Sequence, residues 1–300
     1  MAILSSISST GVNNSHLFSV IIPTYHRNDL LVKCLDCLAP GVQTLAAGQY
    51  EVIVTDDGSQ TTAEEMIRQQ YPWVKWVAGP RSGPAANRNN GAKYAQGEWL
   101  AFTDDDCLPA QEWLEAYAEA TKGSALALEG AIHPLGNPDQ DLAECPINLT
   151  GGCFWSANIA VKHKFFETID GFDSNYLIAA QEDQDLKIRI EKITKIDFVP
   201  EAKVYHPVRL VTLIKLIKRI PKQSANWAYH VNKHQLIIQN GGRFKYTFKA
   251  YKFYLGLLFK YIYIYQFKKA IFAGLYLLFG LPITWFYILL LQKNGDRRWD

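Results

Sequence analysis

Four short apolar runs, each followed by polar residues and a helix-like stretch, constrain the fold of this 300-residue chain more than any other feature. They are Phe18–Pro23 (FSVIIP), Tyr50–Thr55 (YEVIVT), Trp73–Ala78 and Glu98–Thr103 (EWLAFT). Runs this short and rich in β-branched and aromatic residues suit strands of a parallel sheet, and Phe18–Pro23, which carries no charge, suits one buried on both faces. Between them, Asn28 and Asp29 can cap a helix through about Leu38, a second helix fits Ala63–Gln70, and Gly83-Pro84 opens a third reaching about Ala95. Strands alternating with helices build right-handed βαβ units and a parallel sheet, whose ligands bind beyond the carboxyl ends of the strands. Strands one, two and four end in Thr24-Tyr25, Asp56-Asp57 and Asp104-Asp105-Asp106. Three polar strand ends point to one cleft. Neither GxGxxG nor GxxxxGK[ST] occurs, so the dinucleotide-binding and P-loop readings lose their main support.

Charge divides the chain. Residues 201–300 hold 17 Lys and Arg against 3 Asp and Glu, whereas residues 1–200 hold 14 against 26. The acidic part suits carboxylates that bind a metal. The basic part suits an anionic membrane surface or a phosphate-bearing acceptor, and its long aliphatic runs count against nucleic acid. Arg209–Lys222 places Leu210, Leu213, Ile214 and Ile217 at helical spacing among basic residues, as in an amphipathic helix on a membrane or one packed on its own domain. Residues 251–267 are aromatic and apolar, and Tyr251, Tyr254, Tyr261, Tyr263 and Tyr265 suit a headgroup layer. Ala270–Leu291 has no charge and reaches the length of a membrane span. Gly280 and Pro282 in its middle also permit a re-entrant or in-plane pair, and a helical hairpin buried in an oligomer is the further alternative. Lys268 and Lys269 before it, and Lys293, Arg297 and Arg298 after it, give no orientation. Residues 1–17 read as a flexible Ser- and Asn-rich tail without the features of a secretory signal. Cys34 and Cys37 form a CxxC without a second pair, so they read as buried helix cysteines; the odd count of five suits a reducing compartment.

The strand-end aspartates have a definite chemical use. A departing nucleoside diphosphate needs a divalent cation, and hard cations take carboxylate oxygens. In Asp104-Asp105-Asp106 one carboxylate can reach the metal while another reaches ribose hydroxyls. An acceptor hydroxyl needs a carboxylate base, and Gln181-Glu182-Asp183-Gln184-Asp185 offers one at the start of a helix, where acidic residues also suit the helix dipole. His206 follows a strand-like Ile196–Val199, and neutral imidazole can ligate Mn²⁺ or a similar ion, although a His before Pro207 can equally be structural.

In this order and spacing, the segments of about residues 18–208 resemble glycosyltransferase family 2, a family with the GT-A fold. SVIIPTYHR resembles its opening strand and nucleotide loop, which implies nucleotide contacts at Pro23, Thr24, Tyr25 and Arg27. VTDDGS resembles the loop whose second Asp, here Asp57, reads the base. GPAANRNNGA resembles the segment whose Arg, here Arg88, approaches the base or diphosphate. FTDDDC resembles the DxD motif, which implies Asp104 at the ribose and Asp106 at the metal. The triple Asp leaves the ligand open between Asp106 and Asp105, the latter otherwise at the nucleotide. QEDQDLKIRI resembles the ED motif, which implies Asp183 as base and Glu182 as its support, with His206 as a further metal ligand. WSANIAVKHKFFETIDGFD resembles the segment lining the donor sugar and acceptor, which puts Trp155 and Asn158 there.

The resemblance implies a Rossmann-like, mostly parallel GT-A sheet with flanking helices over 18–208. A basic amphipathic region over 209–250 and a membrane-associated helical segment over 251–300 would follow. It further implies a single inverting displacement with Mn²⁺ or Mg²⁺, a nucleotide-sugar donor (UDP by family habit), and a saccharide or lipid-linked acceptor at the cytoplasmic face of a membrane. The several spans and downstream QxxRW of a processive synthase do not appear, which favours single additions. The rival readings are a catalytically silent carbohydrate-binding or assembly protein of this fold and a nucleotidyltransferase. The second would need a glycine-rich loop where Pro23-Thr24-Tyr25-His26-Arg27 stands.

Overall fold

The computed structural model describes residues 16–176, 178–264 and 266–294. Most of the expected tail, Tyr265, the Lys293 side chain, Arg297 and Arg298 therefore lie outside the described residues. Where the tail meets the fold it is already tied down, since Leu17 N–H donates to Gln49 O at 2.7 Å.

The described chain divides into two compact units. The first comprises residues through Leu135, Pro146–Ser174 and Glu182–Pro207. Its strands are β1 (Phe18–Thr24), β2 (Tyr50–Asp56), β3 (Val74–Ala78), β4 (Trp99–Thr103), β5 (Leu108–Pro109), β6 (Ala127–Leu135), β8 (Asn158–Lys162) and β9 (Ile196–Pro207); β7 (Ala143–Glu144) belongs to the second unit. Its helices are α1 (Asn28–Leu38), α2 (Glu64–Gln70), α3 (Pro84–Ala92), α4 (Trp113–Ala120), α5 (His163–Thr168) and α6 (Glu182–Glu191). One eight-stranded sheet runs β3-β2-β1-β4-β8-β6-β9-β5.

The expected βαβ half is present: β1 pairs in parallel with β2 and β4, and β2 with β3. Every residue of β1 is buried. Phe18, Val20 and Ile22 pack with Leu31 and Leu35 of α1 on one face. Ile21 packs with Ala85 of α3 and Phe102 on the other, as period-two alternation demands. The mostly parallel sheet has one feature that periodicity did not disclose. β8 lies antiparallel between β4 and β6, and β6 then pairs in parallel with β9. Chain order reverses direction across β1 and β4, so their carboxyl ends open a crevice there.

The second unit comprises Gly136–Cys145, Asn175–Gln181 and the chain from Val208 onward. Its long helices are α7 (Leu213–Lys233), α9 (Arg243–Tyr263), α10 (Phe267–Leu275) and α11 (Leu281–Asn294), with the short α8 (Leu236–Gln239) between the first two. The proposed amphipathic stretch is corrected in two respects. Arg209–Leu210 forms a short strand, β10, antiparallel to β7, and α7 begins only after Thr212, whose hydroxyl accepts from Lys215 N–H at 3.3 Å. The packed face of α7 is Leu216, Ile220, Ser224, Ala228 and Val231, while Leu210, Ile214 and Ile217 are exposed. The apolar stretch continues from α10 through a π-helical turn at Tyr276–Gly280 into α11, which absorbs Gly280 and Pro282 without a break. Its 25 residues Phe267–Leu291 are long and apolar enough to cross a membrane by length and composition.

Candidate active site

The three consecutive aspartates at the end of β4 have three different surroundings. Asp105 is buried: its Oδ2 accepts from Thr24 Oγ1 at 2.8 Å and Arg27 Nε at 3.1 Å, and its Oδ1 meets Arg27 Nη2 at 2.5 Å. It therefore fastens the end of β1 to the end of β4. Asp104 turns the other way and accepts from Arg88 Nη2 at 2.7 Å. Burial opposes its charge, but Arg88, with His206 and Arg27 nearby, more than offsets this and holds its carboxyl below the ordinary range. Asp106 lies 3.6 Å from His206 Nε2 through Oδ1 and 3.6 Å from Arg27 Nη1 through Oδ2. Of the two aspartates between which the sequence left the choice open, Asp105 is thus engaged at the strand ends and Asp106 faces the histidine.

The donor set around Asp106 fits a hard divalent cation. Asp106, Cys107 and His206 each bring a ligand atom within 4.8 Å of the others. His206 Nδ1 sits 2.9 Å from Pro207 O, which can only accept, so Nδ1 carries the proton and Nε2 presents a lone pair. Burial also pushes the imidazole pKa down, which favours the neutral, ligating form. Cys107 does not belong to this set. Burial drives its thiol far up the scale and its Sγ points at Ala157 O, so it offers no thiolate. One carboxylate and one imidazole, with the remaining positions open to phosphate oxygens and water, is a donor set that Mn²⁺ or Mg²⁺ accepts.

Arg88 joins these aspartates to the first turn of α6. From α3 its guanidinium reaches Asp104 and, through Nη1, Glu182 Oε1 at 3.2 Å, and it lies 5.6 Å from the centre of the Phe172 ring. Burial works against its charge, and the two carboxylates overcome that penalty. Both guanidinium ends named here are spent on protein carboxylates, a different placement from the expected approach to a base or diphosphate. Glu182 is pushed up to about 7, by burial first and despite Arg88, and its Oε2 has no hydrogen-bond partner among the described residues. Asp183 beside it is half-buried and accepts from Gln184 N–H at 2.8 Å. Burial raises its pKa while Arg88 and the Gln184 and Ser156 amides pull the other way, which makes it a stronger base than an exposed aspartate. Asp185, the last acid of that motif, is turned inward to Arg189.

The remaining expected residues divide. Asp57 accepts from Arg81 N–H at 2.8 Å, and Gly79 lies so close that a Cβ there would be 2.2 Å from Asp57 Oδ1. Burial raises the Asp57 pKa, with backbone amides of Arg81 and Gly83 opposing it. Pro23 is buried in β1, Tyr25 is exposed at the strand end, and Trp155 is half-buried against the core. Asn158 is a correction. Its Nδ2 donates to Ala131 O and Ala202 O, and its Oδ1 accepts from Trp113 Nε1 and Tyr117 OH, all at 2.8–2.9 Å. Its side chain therefore locks β8 to its neighbours and has nothing left for a sugar.

Two contributors escaped the sequence reading. His26, at φ 54°, ties the end of β1 to Thr61 through Nδ1, 2.7 Å from Oγ1. Glu129, buried in β6, accepts from Asn148 Nδ2 and from the N–H groups of Gly152 and Phe154. That loop in turn takes Gln184 Nε2 on Cys153 O at 2.8 Å, so Glu129 holds the strip on which the start of α6 rests. A positive-φ histidine in a tight strand-end turn and an acid inside an apolar strand are the signals that could have exposed them.

Residues 19–128 match the family model described as Glycosyl transferase family 2. The chain carries a glycosyltransferase family 2 domain. This domain is 37% identical over 116 residues to Glycosyltransferase AglE of Haloferax volcanii, covering 37% of this chain and 38% of that protein. It is 32% identical over 93 residues to the GalNAc(5)-diNAcBac-PP-undecaprenol beta-1,3-glucosyltransferase of Campylobacter jejuni, covering 29% of each. The matches thus span well under half the length of either relative. Among solved structures, S. aureus TarS 1-349 in complex with UDP superposes with a TM-score of 0.52 at 17% identity, covering 94% of this chain and 93% of that one. That likeness establishes the GT-A fold for the glycosyltransferase domain.

Proposed function

We propose that this protein transfers a sugar from a nucleotide-sugar donor, a UDP-sugar, to a saccharide or lipid-linked acceptor, with inversion, at the cytoplasmic face of a membrane. The observation that carries the reading is the single connected line Asp104–Arg88–Glu182, which brings the aspartate loop of β4 and the acidic turn of α6 into one cleft beside Asp106 and His206. UDP in the structurally similar TarS supports the donor class, and the undecaprenol-linked substrate named for the Campylobacter relative supports the acceptor class.

In this reading Asp106 and His206 would hold Mn²⁺ or Mg²⁺, which when bound neutralises the diphosphate as it departs. Thr24, Tyr25 and Arg27 at the end of β1 and Asp57 at the end of β2 frame the nucleotide. Asp104 meets the ribose, and Arg88 fixes Asp104 and Glu182 relative to one another. Asp183 takes the acceptor proton, and its depth in the protein gives it the basicity to do so. Trp155 lies on the strip leading to α6 and is the aromatic surface available to the sugar.

The test is a screen of nucleotide sugars for hydrolysis and transfer by purified protein, with Mn²⁺ or Mg²⁺ and with chelator. A UDP-sugar consumed only in the presence of metal is the expected result. Nucleotide binding without turnover of any donor, or of any donor–acceptor pair, would favour the silent binding protein.

A further inference from the structure

α9 of the second unit presents three distinct sectors around its axis. Tyr246 and Tyr254 pack on the following helix, against Trp285 and Tyr276, with ring centres 6.2 and 4.5 Å apart. Phe244, Phe248, Tyr251, Leu255, Phe259 and Ile262 recur at steps of three and four residues on another sector, and all are exposed, Phe244 by 85%. Beside that stripe stand Lys245, Lys249, Lys252 and Lys260, and no acidic residue occurs in the helix. The neighbouring helix adds exposed Phe267, Ile271, Leu278, Phe286 and Leu289. An apolar stripe bordered by lysines is the pattern of a helix lying in a membrane interface, where apolar groups enter the acyl boundary and lysine stems reach headgroup phosphates.

The packing of α7 bears on whether Phe267–Leu291 crosses the bilayer. Ile220 packs with Tyr276 and Leu281, Ser224 Oγ donates to Gly280 O at 3.2 Å, and Ala228 and Val231 pack with Ile288 and Leu291. α7 therefore runs alongside the apolar helix, and it carries Lys215, Lys218, Arg219, Lys222 and Lys233. A transmembrane placement would drag this basic helix into hydrocarbon, which is strongly disfavoured. An in-plane placement leaves its charges in water or among headgroups.

We propose that the second unit docks in the plane of an anionic lipid bilayer through the apolar stripe of α9 and the exposed side of α10–α11, without crossing it. Lys245, Lys249 and Lys252 then meet lipid phosphates. The proposal rests on the membrane location given under the proposed function and specifies how that membrane is held. Lipid is favoured over a second copy of the chain because residues 201–300 carry 17 basic against 3 acidic residues, and two such surfaces repel.

The experiment is flotation of full-length protein with phosphatidylcholine vesicles containing or lacking phosphatidylglycerol. It uses the wild type, the triple variant F244S/F248S/F259S and the triple variant K245Q/K249Q/K252Q. The aromatic variant should lose at least tenfold in vesicle affinity. The lysine variant should lose the preference for phosphatidylglycerol but keep residual binding. Donor hydrolysis should stay at the wild-type rate in both, showing that they fold. Nitroxide labels at positions 248 and 259 should report one shallow depth. If wild type binds but the aromatic variant binds equally well, or the labels report graded depths through to the bilayer centre, the in-plane face is wrong while the membrane location stands. If wild type binds no vesicle, both fall. If the aromatic variant only turns an oligomer into a monomer, the stripe joins copies of the chain and the lipid proposal is overturned.

Discussion

Replacing Arg88 by Met tests the electrostatic centre of the site. In the wild type the Arg88 guanidinium, 4% exposed, neutralises Glu182, 3% exposed, and Asp104, 26% exposed. Removing one partner of a buried ion pair costs about 3–5 kcal/mol, because the remaining charge is left uncompensated. For a unit of this size each kcal/mol shifts Tm by about 2–4 °C, so Arg88→Met should lower Tm by roughly 6–20 °C. The deficit has a defined pH dependence. Glu182 sits at about 7 with Arg88 present, and Arg88 is what holds it down against burial. In the variant it moves higher. Below about 7 the group is protonated in both proteins, so its share of the deficit is full in alkali, fades as pH falls toward about 7, and is gone at pH 5. The Asp104 share persists to lower pH, because its wild-type pKa lies below the ordinary range. Differential scanning calorimetry of both proteins at pH 8, 7, 6 and 5 reads this out. A Tm change under about 2 °C, or a deficit that grows with acidity, refutes the linkage.

Three further substitutions separate roles that the sequence places side by side. Asp183→Asn should lower the transfer rate by about 10²–10⁴ with nucleotide affinity nearly unchanged, and a rate within threefold of wild type in stopped assays removes its assignment as base. The wild-type rate should also fall as pH drops, along a limb above the ordinary aspartate range, because burial raises the Asp183 pKa and the base must be ionised. Asp105→Asn should cost stability in urea titration, by about 1–3 kcal/mol, through its bonds to Thr24 and Arg27, with metal affinity retained; loss of metal affinity at unchanged stability reverses the roles of Asp105 and Asp106. Asn158→Ala should unfold or strongly destabilise the domain, since each of the four groups it abandons costs about 1–3 kcal/mol; normal stability with a raised donor KM restores the sugar-contact reading.

The strands and carboxylates that frame the cleft were legible because they depend on local chemistry. FSVIIP, YEVIVT and EWLAFT are short and rich in β-branched and aromatic residues, as strands are, and polar groups that follow such a strand emerge at its end. What stayed hidden depends on partners far away in the chain. Nothing in three consecutive aspartates separates them; Arg27, Arg88 and His206 do that, from β1's end, α3 and β9. NIAVK was read as a ligand-lining segment because its pairing with β4 and β6 is long-range, and that pairing turns Asn158 inward. Helical spacing misled at Arg209–Leu210, where a two-residue strand beside Ala143–Glu144 took the backbone bonds and moved the helix start to Leu213.

The central claim is that a divalent cation held by Asp106 and His206 carries the diphosphate of the donor. Isothermal titration of UDP into the protein, with Mn²⁺ present or replaced by EDTA, tests it for wild type and for Asp106→Ala. The account predicts tight binding for wild type with Mn²⁺, a loss of at least tenfold in EDTA, and a comparable loss for Asp106→Ala that Mn²⁺ does not restore. Equal affinity with and without metal, or an Asp106→Ala protein that still gains affinity from Mn²⁺ as wild type does, would contradict it.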